Sequence, residues 1–156
     1  ADSEFTAPDP ELALVLNGLG EIVAFTVAND VSAWDIEREN PLYLPQSKIY
    51  QGCCALGPVL VTPDEVGDPN NLQLVCRILR QGRPIFEGEV NTSRIGRTFE
   101  QLIHYLMRNN PIPDGTVVCT GTGVIAEREH ALRDGDVVEI TIERIGTLRN
   151  PVRRLG

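Results

Sequence analysis

The chain has 156 residues, 22 of them acidic and 14 basic, for a formal charge of −8. That length suits one domain with a real hydrophobic core, and that charge repels phosphate backbones and anionic lipid, which argues against nucleic-acid and membrane-surface roles. No run approaches the roughly 18 apolar residues of a membrane span, and the acidic start Ala1-Asp2-Ser3-Glu4 is unlike a signal peptide, so a cytoplasmic protein is expected. Cys53, Cys54, Cys76 and Cys119 show no paired C-x-x-C spacing and read as buried free thiols rather than a zinc or disulfide framework. A single lysine, Lys48, stands among 13 arginines.

Taken in chain order, the first element is the apolar run Glu11 to Leu16, which stops at the turn signal Asn17-Gly18-Leu19-Gly20. Ile22 to Val27 follows at once, so the two runs are expected to form a β-hairpin. A short helical turn is expected after Ser32. Further strands are predicted at Val59 to Val61, Leu72 to Leu79, Val117 to Cys119 and Val137 to Ile142, runs rich in β-branched residues and bounded by Gly, Pro, Asp or Asn. Only one segment is clearly helical: Phe99, Leu102, Ile103, Leu106 and Met107 recur with helical spacing, and Pro111 ends the pattern. Strands without βα alternation, plus one main helix, point to a mainly-β (α+β) fold, a mixed roll or distorted barrel, in one domain spanning residues 1–156.

Three carboxylates carry the chemistry. Asp9 and Glu11 are two residues apart at a strand start, so both side chains project from one face, and the hairpin returns Asp30 to the same end. Carboxylates gathered in this way repel one another and raise each other's pKa unless a cation or basic partners compensate. Oxygen-only ligands in small number suit Mg²⁺ or Mn²⁺, while a solvated acidic loop end is the competing explanation. Lys48 lies in the proline-rich, apolar stretch Asn40 to Tyr50, which is expected to fold against the core, where a half-buried ammonium needs an anion. In the turn Thr120-Gly121-Thr122-Gly123 the glycines let backbone N–H groups approach a bound anion, although a plain tight turn is the commoner meaning.

These motifs, Asp9-Pro10-Glu11-Leu12-Ala13, Ala28-Asn29-Asp30-Val31-Ser32-Ala33, Gln46-Ser47-Lys48, Ala55-Leu56-Gly57-Pro58, Thr120-Gly121-Thr122-Gly123 and Gly135-Asp136-Val137-Val138, run in the order seen in the fumarylacetoacetate hydrolase family. The resemblance covers about Pro8 to Val152. Glu39 to Gln46, with Ile145 to Leu148 and Asn150 to Val152, looks most like the branch that dehydrates 2-keto-3-deoxy-pentonates to 2,5-dioxopentanoate. It implies that Asp9, Glu11 and Asp30 hold Mg²⁺ (or Mn²⁺), with Asp9 where the family usually has Glu. It further implies that Lys48 is the active-site lysine, and that Thr122, Gln46 and Ser32 join Lys48 in facing a 2-oxo acid substrate. Trp34 stands where the family commonly has an arginine. A homodimer or homotetramer is implied, as is a further N-terminal region, so the chain is expected to be the C-terminal catalytic part of a longer one. The activity implied is dehydration through a metal-stabilised enolate. Hydrolytic C–C cleavage of acylpyruvates or other 2,4-diketo acids is the alternative on the same site, and a catalytically silent metal- and keto-acid-binding domain is a third reading.

Overall fold

The computed structural model describes residues 3–155, so Ala1 and Asp2 of the acidic start lie outside the described residues. A short strand, β1 (Thr6–Ala7), precedes the hairpin of β2 (Pro10–Leu16) and β3 (Ile22–Asp30). Its turn is closed by Asn17, whose side-chain oxygen accepts from the N–H groups of Leu19 at 3.0 Å and Glu21 at 2.9 Å. Next come β4 (Ser32–Ala33), which pairs with β1, and the short helices α1 (Trp34–Glu39) and α2 (Leu44–Lys48). The helical turn expected after Ser32 is α1.

Two four-stranded antiparallel sheets make up the body. The hairpin is flanked by β5 (Cys54–Val61) beside β3 and β8 (Thr116–Cys119) beside β2, giving the order β5-β3-β2-β8. The second sheet has β6 (Gln73–Arg80), β7 (Arg83–Asn91), β9 (Val137–Ile142) and β10 (Gly146–Pro151) in the order β10-β9-β6-β7. Among the described residues neither sheet closes on itself, so the fold is an open roll and not a barrel.

The inner faces meet in one core, with Leu12, Leu14, Phe25 and Val27 from the first sheet against Leu74, Cys76, Val138 and Ile140 from the second. Each fully buried aliphatic or aromatic side chain there contributes roughly 1.5–3 kcal/mol of burial. β2 is buried at every position because it is central in its sheet, which is why it reads as an apolar run without alternation. The predicted helix is α4 (Phe99–Met107), with α3 (Pro63–Val66) before it. Thr98 and Gln101 form a capping box at the α4 N-terminus, and Phe99, Leu102, Ile103 and Leu106 pack on the core.

Three sequence expectations are corrected. β7, β10 and the first half of β5 are strands that alternation did not mark. All three lie at sheet edges and carry prolines (Pro84, Pro151, Pro58), which an edge tolerates because no ladder bond is lost. The segment from Asn40 to Tyr50 does not fold against the core: Leu42 is 79% and Ile49 77% exposed, and only Ser47 within it is buried. The cysteines are free, but only Cys76 is buried and Cys54 is exposed.

Candidate metal centre

The β2–β3 pairing sets the site. Pro10 faces Asn29, so Asp9 at the entry to β2 lies beside Asp30 at the end of β3, where the Asp30 N–H donates to the Asp9 carbonyl at 3.0 Å. Glu11 follows Asp9 on the same face. One carboxylate oxygen from each of Asp9, Glu11 and Asp30 lies within 4.8 Å of the others. Asp9 is 8% and Glu11 4% exposed, so the competing explanation, a solvated acidic loop end, does not hold.

Lys48, at the last position of α2, reaches over this cluster. Its Nζ lies 2.7 Å from Asp9 Oδ2 and 3.0 Å from Asp30 Oδ2. Exposure of the α2 segment therefore leaves the lysine where a half-buried ammonium finds its anions. Burial alone would lower the Lys48 pKa, but hydrogen bonds and charge from Asp9 and Asp30 prevail and hold it above the ordinary lysine range. Ser32, placed by resemblance at the substrate, is fully buried behind the cluster, where its hydroxyl donates to Asp9 Oδ2 at 3.2 Å or to the Asp30 carbonyl at 3.0 Å. It supports Asp9 and does not face open space.

The glycine turn meets an anion, though not the one expected. Gly121, at φ +94°, aims its N–H at Glu11 Oε2. This backbone contact escaped sequence reasoning because the anion belongs to the protein itself. Even with that donor, burial and then the charges of Asp9 and Asp30 push the Glu11 pKa up to about 7. Burial likewise raises the Asp9 pKa, despite Lys48 and Ser32. Thr122 lies one residue past Gly121, with its hydroxyl accepting from the Val124 N–H at 3.2 Å. Gln46 is exposed on α2, two residues before Lys48. Tyr50, which carried no sequence signal, donates from its hydroxyl to the Val31 carbonyl at 2.9 Å; burial, with lesser contributions from Cys53 and Asp30, raises its pKa to about 12. The family's usual arginine position holds Trp34, and the Arg38 guanidinium four residues on stacks over the Trp34 ring at 4.6 Å.

The donor set passes the test for a hard divalent cation. Three carboxylates supply oxygen alone, and Asp9 Oδ1 is buried without any hydrogen-bond partner, which is costly unless something positive meets it. Lys48 neutralises only part of the negative charge.

The chain is 56% identical over 154 residues to 2-dehydro-3-deoxy-D-arabinonate dehydratase of Saccharolobus solfataricus, covering 99% of this chain and 52% of that one. It is 49% identical over 151 residues to a probable 2-keto-3-deoxyxylonate dehydratase of Haloferax volcanii, covering 97% and 52%. It is also 35% identical to the human mitochondrial oxaloacetate tautomerase FAHD2A, covering 87% and 44%. A solved structure of 2-keto-3-deoxy-D-arabinonate dehydratase complexed with magnesium and 2,5-dioxopentanoate superposes with a TM-score of 0.97 at 56% identity, over 99% of this chain and 55% of that one. The chain thus spans about half the length of the curated relatives it matches. The family model for the fumarylacetoacetate hydrolase C-terminal region matches residues 15–153, and with these relatives it shows that the chain belongs to the fumarylacetoacetate hydrolase family.

Proposed function

We propose that this chain carries the catalytic centre of a hydro-lyase that removes water from a 2-keto-3-deoxy sugar acid, a pentonate giving 2,5-dioxopentanoate. The observation that carries the reading is the trio of buried Asp9 and Glu11 and half-buried Asp30, with its unpartnered Asp9 oxygen. Support comes from two dehydratase relatives at 56% and 49% identity and from the magnesium complex of the first kind.

In this reading Asp9, Glu11 and Asp30 hold Mg²⁺, with Mn²⁺ as the alternative. When bound, the cation supplies Lewis acidity that favours loss of the C3 proton beside a 2-oxo group. The chain's own residues do the rest. The Gly121 N–H fixes the Glu11 carboxylate, and Ser32 fixes Asp9 so that its second oxygen stays available. Lys48 offers an ammonium that can leave Asp9 and Asp30 for the anionic substrate and stabilise the charge that develops. Thr122, next to Gly121, and Gln46, on α2 two residues before Lys48, orient the substrate carboxylate in this reading. Departure of the C4 hydroxyl, protonated to leave as water, gives the 3,4-ene, and tautomerisation that moves hydrogen from the C5 alcohol carbon and oxygen to C3 and C4 yields 2,5-dioxopentanoate.

The same reading places the protein in the cytoplasm, supported by its free thiols, and makes it a homodimer or homotetramer, supported by exposed Leu56, Val59 and Leu60 along β5. C–C hydrolysis of a diketo acid and keto–enol tautomerisation use the same arrangement and are separated by products. Offered 2-keto-3-deoxy-D-xylonate, an acylpyruvate and oxaloacetate in parallel, the enzyme is expected to form 2,5-dioxopentanoate fastest. Release of pyruvate from the acylpyruvate at the higher rate would replace the proposal with a hydrolase, and binding of all three without turnover would leave a silent binding domain.

A further inference from the structure

A second opening lies on the other side of β2. Side chains alternate along a strand, so Asp9 and Glu11 point to one face while Pro10 and Leu12 point to the opposite one. Pro10 and Leu12 line a cavity of about 220 Å³, roofed by the loop Thr120 to Gly123 and closed by the stretch leading into α4. None of Asp9, Glu11, Asp30 or Lys48 lines it. The glycine turn is thus a shared wall, with the Gly121 N–H serving Glu11 on one side and the loop backbone bounding the cavity on the other.

The cavity has its own chemistry. Its floor is apolar, from Leu12, Leu74 and Leu102, and the charged side chains on its wall are Arg94 and Arg97. Among the described residues neither arginine takes part in a salt bridge, as holds for most of the chain's arginines, so both guanidinium groups are free to meet an anion. Two unpaired guanidinium groups at the mouth of an apolar pocket attract a carboxylate head and accept a short hydrocarbon tail. The volume is below the several hundred Å³ typical of sites for larger ligands.

We propose that this cavity is a second ligand site, separate from the carboxylate cluster, which binds a small organic monocarboxylate through Arg94 and Arg97 with its aliphatic tail on Leu12, Leu74 and Leu102. The test is an amide NMR titration of the protein with hexanoate, followed at Gly96 and Gly123. Saturable shifts are expected, with hexan-1-ol at the same concentrations binding at least about tenfold more weakly for want of the charged head. The variant Arg94→Ala/Arg97→Ala changes only exposed side chains and is expected to keep the wild-type spectrum elsewhere while losing hexanoate affinity by a similar factor. Lys48 does not line the cavity, so the Lys48→Met variant should bind hexanoate as the wild type does. The proposal is overturned by unsaturable shifts, by undiminished binding in the double variant, or by loss of hexanoate binding in Lys48→Met, which would make the cavity part of the substrate site.

Discussion

Lys48 shows how much one side chain can depend on its setting. Its ammonium bridges Asp9 and Asp30 and stands in part for the cation that the trio is proposed to hold. Lys48→Met removes that counter-charge, so the metal-free protein should lose on the order of 2 kcal/mol in denaturant unfolding, less than a fully buried pair would cost because the site is partly open. The same variant should bind Mg²⁺ more tightly in calorimetry, because the carboxylates no longer share their charge with a lysine. Weaker Mg²⁺ binding would mean that the lysine assists the cation. Lys48→Arg keeps the charge on a bulkier planar group and is expected to retain the fold while losing most turnover.

Glu11 sets the pH behaviour of the same cluster. Its folded pKa of about 7 lies above the ordinary glutamate value of 4.5, so the native metal-free state holds a proton that the unfolded chain has released between those values. Stability from this group is complete below about pH 4.5 and declines as pH rises through 7. Unfolding in EDTA across that range should show the decline, and Glu11→Gln should flatten it. Mg²⁺ binding near pH 6 should release a proton, measurable by calorimetry in buffers of different ionisation enthalpy.

At the scale of elements, the hairpin is the decisive unit, since it brings Asp30 back to Asp9 and seats its turn on α4. Gly20 has φ +81°, and a Cβ there would come within 2.3 Å of Met107 Sδ and 3.2 Å of Ile103 Cγ2. Gly20→Ala combines a strained backbone with a collision and should lower stability by about 1–3 kcal/mol in thermal or denaturant unfolding. A neutral result would show that α4 and the turn move apart at little cost. The hairpin, α4 and the central strands were legible in the sequence because apolar runs and helical spacing mark them. The edge strands β7 and β10 were not, because strands open on one side tolerate charge, glycine and proline, as in Arg83 to Asn91.

For the whole molecule, two open sheets stack into one core, and the functional groups gather at one end of the β5-β3-β2-β8 sheet. Asp9, Glu11, Asp30 and Lys48 could be placed from spacing and motif order, since strand alternation and a two-strand hairpin leave little freedom. The supporting contacts could not. Ser32 behind Asp9 and the Gly121 N–H on Glu11 join residues 23 and 110 positions apart, and such approaches depend on how β4 and β8 dock. The exposed setting of α2 was equally hidden, because an apolar, proline-rich segment reads the same whether it meets the core or solvent.

The most direct test of the proposed cation-dependent dehydration follows 2,5-dioxopentanoate formation from 2-keto-3-deoxy-D-xylonate by the EDTA-treated protein, before and after Mg²⁺ is restored, beside Asp30→Asn. Activity that is lost on chelation, recovered with Mg²⁺ and absent from Asp30→Asn is the predicted result. Turnover indifferent to both chelation and the substitution would contradict it.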